Sequence, residues 1–94
     1  MAKLTEIQWL VHFSGLVQGV GFRYTTQLAS RGFEVVGTVE NLPDGRVRMI
    51  VEGRSIELER FLQQILATTQ GRVIDIDRQE HPATGNFVDF SVVR

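Results

Sequence analysis

In residues 7–32, IQWLVHFSGLVQGVGFRYTTQLASRG, a strand pattern is followed by a glycine loop and then by a helix pattern. Every second residue between positions 7 and 13 is apolar. This period of two predicts a strand with one buried face, which carries Ile7, Trp9, Val11 and Phe13.

The helix pattern begins after three glycines, at positions 15, 19 and 21. Phe22, Leu28 and Ala29 fall roughly on one side of a helix that starts at residue 22, and Gly32 is expected to stop it. The loop over residues 14–21 therefore joins the carboxyl end of a strand to the amino end of a helix.

Beyond this stretch the sequence predicts a hairpin. Residues 34–41 and 46–53 have strand character, and Leu42-Pro43-Asp44-Gly45 separates them. Proline presets φ at the second position of a turn, and Gly45 tolerates a positive φ. We therefore expect two antiparallel strands joined by a short bulged loop.

A second helix follows the hairpin, with Ser55 as its expected cap and Gly71 at its end. Strand patterns then occupy residues 73–80 and 87–94, on either side of a loop over 81–86. The apolar residues of the helix recur at the spacing of one buried helical face: Leu58, Phe61, Leu62, Ile65 and Leu66.

The resulting order is β-α-β-β-α-β with one further short strand. This order predicts an α+β fold of the ferredoxin-like, split β-α-β type, with an antiparallel sheet and both helices on one face. A chain of 94 residues fits a single domain, residues 1–94. Because this fold hosts many functions, the activity must be inferred from particular residues.

Composition narrows the classes of function. A net charge of −1 gives no indication of nucleic acid or anionic membrane as partner. The absence of cysteine excludes thiol nucleophiles and cysteine-bound metals. The sequence contains no apolar run of about 18 residues, and its first residues, MAKLTEIQW, become polar too soon for a signal peptide. We expect a cytoplasmic monomer that acts on small molecules.

The loop from Gly15 to Arg23 has the residue types of an anion site. Its glycines allow the backbone to curl so that successive N–H groups point at one spot beside a helix amino end. The planar guanidinium of Arg23 matches two phosphate oxygens. Glycines at this spacing are also common in simple tight turns, and the loop matches neither a P-loop nor a dinucleotide-binding fingerprint.

Asn41 is the polar side chain expected closest to this loop. The first two strands are joined through a helix, so they should run parallel and end at the same edge of the sheet. Ligands tend to bind beyond such carboxyl ends. The alternative for Asn41 is a purely local role, because asparagine before a turn often bonds only nearby backbone.

Two motifs resemble the signatures of the acylphosphatase family. Residues 17–23, VQGVGFR, are similar to its first signature, and residues 37–47, GTVENLPDGRV, follow the pattern Gly-x-Val-x-Asn, then Asp-Gly-x-Val, of the second. The spacing, chain length and element order also fit. The resemblance implies hydrolysis of the carboxyl–phosphate bond of acyl phosphates, yielding a carboxylate and inorganic phosphate without metal or cofactor.

The same resemblance implies roles for individual residues. Arg23 would bind the phosphate and Asn41 would orient the attacking water. The loop amides would complete the phosphate cradle: those of Gln18, Gly19, Val20, Gly21 and Phe22.

This chain also departs from the family pattern. Many members have arginine where it has Leu16, tryptophan where it has Thr38, and an aromatic residue after the last strand, where it stops at Arg94. Gly-Arg-Val at 71–73 replaces a frequent Gly-Pro. These departures bear on substrate preference, rate and stability more than on the activity.

Few catalytic groups suffice for this chemistry. An acyl phosphate releases a carboxylate, which needs no general acid, and positioning with electrostatic stabilisation does most of the work. An aspartate at position 41 would be repelled by the phosphate, by about 4 kcal/mol at about 4 Å with an effective dielectric near 20. A neutral asparagine avoids that repulsion.

Three other functions fit the predicted fold. An RNA-binding module would carry exposed aromatics on its central strands, and residues 46–53 have none. A domain that only binds an anion, and a carbamoyl-phosphate-processing domain of a longer chain, remain alternatives.

Asp75 and Asp77, with Glu80 nearby, are interpreted as a solvated strand face rather than a metal pair. His12 and His81 lie far apart in sequence, and we expect structural or surface roles for both.

Overall fold

The computed structural model describes residues 5–94, and its elements follow the predicted order. Within this range the chain forms five strands and two helices. Their bounds are β1 Glu6–Gly15, α1 Phe22–Ser30, β2 Val35–Asn41, β3 Val47–Arg54, α2 Ser55–Thr69, β4 Val73–Pro82 and β5 Phe90–Val93. The ferredoxin-like α+β fold is therefore confirmed.

The sheet has the strand order β4-β1-β3-β2-β5. Strand β3 lies antiparallel to both β1 and β2, so β1 and β2 run parallel and end at the same edge, as predicted. Strand β4 is antiparallel to β1. The expectation of a wholly antiparallel sheet is wrong at one edge, because β5 pairs with β2 in parallel.

The parallel pairing follows from the path of the chain after β4. The loop over residues 83–89 crosses the helix-free face of the sheet, where the Glu52 carboxylate accepts hydrogen bonds from the backbone N–H groups of Thr84 and Gly85. The loop then reaches β2, and the Gly37 N–H donates to the Asp89 carbonyl oxygen at 2.8 Å. Strand β5 consequently starts at the far edge and runs in the direction of β2.

One face of the sheet packs on both helices and forms the core. Trp9, Phe13 and Phe61 are buried, as predicted. The rings of Phe13 and Phe22 meet edge to face, 5.1 Å apart, and those of Phe61 and Phe90 do so at 5.4 Å. Full burial of one such side chain contributes about 1.5–3 kcal/mol. The contact between Phe13 and Phe22 fixes the first turn of α1 against β1.

The buried side of α1 differs from the prediction. Leu28 is 40% exposed, whereas Phe22, Thr26 and Ser30 are buried. The hydroxyl of Thr26 donates to the Phe22 carbonyl oxygen, and that of Ser30 donates to the Gln27 carbonyl oxygen. Because these bonds satisfy the hydroxyl groups within the helix, small polar side chains can face the core there.

The start of α2 also differs from the prediction. Ser55 is the first helical residue, Arg54 occupies the N-cap position, and no side chain caps the helix. Instead, Glu57 in the first turn accepts a hydrogen bond of 2.9 Å from the Glu34 N–H. A carboxylate at this position also interacts favourably with the helix dipole. Neither α1 nor α2 is both long and apolar enough to cross a membrane.

Candidate active site

The loop between β1 and α1 curls through alternating backbone conformations. Gly19 and Gly21 have φ values of 73° and 77°, while Gln18 and Val20 keep negative φ. Such alternation turns successive N–H groups toward one side of the backbone. A Cβ atom at either glycine would meet nothing within 4 Å. Glycine is therefore required here for its backbone conformation and not for space.

This loop leads into an uncapped helix amino end. Gly21 is the N-cap of α1 in a left-handed conformation, without a side-chain capping bond and without an acidic residue in the first turn. Among residues 5–94, no backbone carbonyl accepts a hydrogen bond from the N–H groups of residues 18–24. Free donors and the helix dipole together favour an anion at this position.

Arg23 lies in the first turn of α1, where a cation opposes the helix dipole by about 0.3–1 kcal/mol. Helix stability therefore does not explain its position. Its Nη1 donates to the Val93 carbonyl oxygen at 3.0 Å, which fixes the guanidinium against β5. A guanidinium has five N–H donors, so this bond leaves donors for a ligand.

A cavity of about 420 Å³ lies between the loop, the start of α1 and the carboxyl ends of β2 and β5. Arg23 and Asn41, which the sequence predicts to share one anion, both line it. The lining residues are Val17, Gly19, Gly21, Phe22, Arg23, Tyr24, Gln27, Asn41, Ser91, Val92 and Arg94.

Asn41 is the last residue of β2 and contributes an unsatisfied acceptor. Its Oδ1 is buried and makes no hydrogen bond with any group of residues 5–94. A buried acceptor without a partner costs about 1–3 kcal/mol. The residue itself lines the cavity, so its side-chain amide lies beside the space that a ligand and water would occupy.

The turn after β2 holds Asn41 in place. The Leu42 N–H donates to the Arg46 carbonyl oxygen at 2.8 Å, and Gly45 has a φ of 95°, as the predicted turn requires. Asp44 accepts bonds from the Arg46 N–H at 3.0 Å and from its Nε at 2.8 Å. These two hydrogen bonds, the one from the backbone first, hold the pKa of the Asp44 carboxyl below its ordinary value.

Two predicted phosphate-binding residues, Gln18 and Val20, do not line the cavity. The side-chain amide of Gln18 donates to the carbonyl oxygens of Leu42 and Arg46, each at 2.8 Å. Val20 is 42% exposed, and its carbonyl oxygen accepts a long bond of 3.5 Å from Arg72 Nη1. Neither residue therefore contributes a side chain to the cavity.

Sequence reasoning missed the part of the cavity that β5 and α1 contribute, notably Tyr24, Gln27, Ser91 and Arg94. Strand β5 lies parallel to β2, with Thr38 opposite Ser91. These residues could have been predicted only from the direction of β5. That direction depends on pairing between distant strands and not on a local sequence pattern.

The histidines and carboxylates considered from the sequence do not line the cavity: His12, His81, Asp75, Asp77 and Glu80. The Nδ1 atom of His12 lies 3.8 Å from Asp77 Oδ2, between β1 and β4. In the part of the chain that the structure describes, no three His, Asp or Glu residues come together as a metal site.

The fold and the cavity define a class: a ferredoxin-like α+β domain with a glycine loop, a helix amino end and an arginine arranged as for a small anion. The family model described as Acylphosphatase matches residues 9–92. The chain belongs to the acylphosphatase family, enzymes that hydrolyse acyl phosphates.

Individual relatives agree with this assignment. The chain is 43% identical over 82 residues to an acylphosphatase of Lactobacillus johnsonii, and the alignment covers 85% of this chain and 90% of the relative. It is 44% identical over 87 residues to that of Archaeoglobus fulgidus, with 87% and 92% covered. The crystal structure of acylphosphatase from Bacillus subtilis superposes with a TM-score of 0.85 at 32% identity, covering 94% of this chain and 99% of that one.

Proposed function

We propose that the cavity lined by Arg23 and Asn41 is the active site for acyl phosphate hydrolysis and that the reaction needs no metal. The observation that carries this proposal is that both side chains line one cavity beside the uncapped amino end of α1. We further propose that the protein is a cytoplasmic monomer and that its substrates are small molecules, which a cavity of about 420 Å³ can hold.

In this proposal the phosphoryl group lies in the curled loop. The guanidinium of Arg23 binds two of its oxygens, and the backbone N–H groups of residues 18–22 bind the others. Negative charge spreads over the phosphoryl oxygens as the bond to the leaving group loosens. Donors fixed in advance by the loop and by the bond between Arg23 and Val93 stabilise that charge without rearrangement.

Asn41 orients the nucleophile. Its side-chain amide, beside the cavity, holds a water molecule by a hydrogen bond, and a lone pair of that water then faces the phosphorus atom. The water oxygen bonds to phosphorus, and the bond from phosphorus to the carboxyl oxygen breaks. The electron pair of that bond leaves with the carboxylate, and the proton of the water passes to a phosphoryl oxygen. The products are a carboxylate and inorganic phosphate.

The proposal is tested by steady-state hydrolysis of benzoyl phosphate and acetyl phosphate after treatment with EDTA. We expect the untreated and treated enzymes to be equally active. Arg23→Gln should lower kcat/KM by about 100-fold or more, the scale for one lost donor to developing charge, and should weaken inhibition by inorganic phosphate.

The matched control is Arg60→Gln, which removes an exposed guanidinium on α2 outside the cavity. It should leave kcat/KM unchanged within about twofold. Loss of activity on EDTA treatment would contradict the metal-free reaction, and full activity of Arg23→Gln would contradict the proposed phosphate site.

A further inference from the structure

The loop that leads into α1 contacts an arginine that the proposed hydrolysis does not use. Arg72 is an exposed residue between the end of α2 and the start of β4. Its Nη1 donates to the Val20 carbonyl oxygen at 3.5 Å, and no other group of residues 5–94 donates to that oxygen. None of the ion pairs within the same range includes Arg72, so no carboxylate determines where its guanidinium lies.

The backbone of Arg72 is fixed against the start of the same loop. Its carbonyl oxygen accepts a hydrogen bond of 2.8 Å from the Leu16 N–H, and its own N–H donates to the Thr69 carbonyl oxygen at 3.1 Å. The two segments approach so closely that a Cβ atom at Gly15 would lie 2.3 Å from the Arg72 carbonyl oxygen. Arg72 therefore contacts the loop twice, through its backbone at Leu16 and through its side chain at Val20.

The contact at Val20 bears on the direction of the next N–H group. In a planar trans peptide, the carbonyl oxygen of Val20 and the N–H of Gly21 point in opposite directions. A guanidinium that holds the Val20 oxygen therefore turns the Gly21 N–H away from Arg72. Gly21 lines the cavity, whereas Val20 and Arg72 do not.

The bond from Arg72 is long and exposed, so it contributes little to the stability of the fold by itself. An anion that accepts a hydrogen bond from the Gly21 N–H would polarise this peptide and make the Val20 oxygen a better acceptor. The bond from Arg72 and the binding of an anion then strengthen each other.

We propose that Arg72 is a positioning residue, which holds the peptide between Val20 and Gly21 with its N–H directed at the phosphoryl group. Arg72 itself does not touch the substrate. This inference rests on the proposed function, because it places the phosphoryl group in the curled loop. A donor fixed in advance acts on bound phosphate and also on the transition state, where negative charge spreads over the same oxygens.

The test compares Arg72→Met, which keeps most of the side-chain stem but has no donor, with the control Arg60→Met on the exposed side of α2. We expect Arg72→Met to raise the inhibition constant for inorganic phosphate, and to lower kcat/KM for benzoyl phosphate, by about three- to tenfold, the scale of one hydrogen bond. Arg72→Lys should recover part of both losses, and Arg60→Met should cause neither. Without phosphate the Tm of Arg72→Met should stay within about 2 °C of the unmodified protein, whereas the rise in Tm on adding phosphate should be smaller.

A diffuse attraction between the Arg72 charge and the anion is distinguished by salt. At about 1 M salt the Debye length is about 3 Å, which screens a charge that acts through solvent. A hydrogen bond to a neutral carbonyl oxygen is less sensitive, so the difference between the two enzymes should persist.

Three results would overturn the inference. Unchanged phosphate inhibition and kcat/KM in Arg72→Met would show that the contact has no effect on the loop. A difference that vanishes at about 1 M salt would show an effect of charge alone, and a fall in Tm of equal size with and without phosphate would show a purely structural role. Failure of the proposed function is distinct from all three, because the unmodified enzyme would then not hydrolyse benzoyl phosphate.

Discussion

The side-chain amide of Gln18 donates a hydrogen bond of 2.8 Å to the carbonyl oxygen of Leu42, the residue that follows Asn41. A second bond of the same length reaches Arg46 on the other side of the turn. One side chain therefore joins the loop before α1 to the end of β2. The two halves of the proposed active site come from separate elements, and Gln18 fixes the distance between them.

Gln18→Ala should misplace the loop relative to Asn41 without unfolding the protein. Displacement of a reacting group by about 1 Å can cost about 100-fold in rate, and we expect kcat/KM for benzoyl phosphate to fall by at least tenfold. The free energy of unfolding should fall by about 1–2 kcal/mol, because two hydrogen bonds are lost, although each carbonyl oxygen keeps one backbone donor. Steady-state kinetics and urea unfolding measure the two effects.

Gln63→Ala is the control for this variant, because Gln63 is exposed on α2 and outside the cavity. It should change neither quantity. If Gln18→Ala kept full kcat/KM, the connection between loop and hairpin would be structural only.

Gly21→Ala tests whether the loop conformation itself matters. Gly21 has a φ of 77° and space for a Cβ atom, so the substitution causes backbone strain of about 1–2 kcal/mol and no clash. Gly71→Ala is matched, with a φ of 80°, the same open space and a position outside the cavity. Thermal unfolding should show similar losses, whereas the inhibition constant for phosphate should rise only in Gly21→Ala. An equal effect of both variants on phosphate inhibition would contradict the role of the loop.

Glu52 is expected to stabilise the fold at neutral pH. It is 2% exposed and accepts hydrogen bonds from Gln8, from the Thr84 N–H and hydroxyl, and from the Gly85 N–H. Burial has the largest single effect on the pKa of Glu52 and raises it, because it opposes ionisation. The hydrogen bonds lower the pKa, and those from Thr84 contribute most. Together they outweigh burial, so the pKa of Glu52 lies below its ordinary value.

Because the folded-state pKa is lowered, the ionised carboxylate is favoured by folding. Its contribution to the free energy of unfolding is complete above the ordinary glutamate pKa of about 4.3 and is lost as the pH falls through the lowered pKa. Glu52→Gln should lower the free energy of unfolding at pH 7 by about 1–3 kcal/mol. Each kcal/mol corresponds to a decrease of about 4–8 °C in Tm for a domain of this size.

Thermal unfolding from pH 7 down to pH 3 checks this expectation. The difference in stability between the unmodified protein and Glu52→Gln should shrink as the pH is lowered. The control Glu59→Gln removes an exposed carboxylate that pairs with Arg78, and it should have little effect. A difference that stayed constant or grew in acid would contradict the stabilising role of the ionised Glu52.

The sequence predicted the elements well where local pattern controls them. The alternation in residues 7–13, the turn at Pro43 and the apolar spacing of α2 correspond to β1, the hairpin and a buried helix face. The placement of Arg23 and Asn41 beside one cavity also followed, because a crossover connection fixes the relative direction of β1 and β2.

The features that sequence reasoning missed depend on contacts between distant residues. The direction of β5 is set by the path of the loop over Glu52, and no local pattern indicates a buried glutamate as its anchor. Thr26 and Ser30 can face the core because their hydroxyl groups are satisfied inside α1, whereas Leu28 is partly exposed. The hydrogen bonds of Gln18 likewise connect it to Leu42 and Arg46, which are 24 and 28 positions further along the chain.

The proposed mechanism depends most on the separate roles of Asn41 and Arg23. The most direct test of these roles is the kinetics of Asn41→Ala on benzoyl phosphate with inorganic phosphate as inhibitor. We expect kcat to fall by about 100-fold, the scale for loss of positioning, while the inhibition constant for phosphate stays within about twofold. Full turnover in Asn41→Ala, or a loss of phosphate inhibition as large as in Arg23→Gln, would contradict an asparagine that orients water beside an anion bound by Arg23.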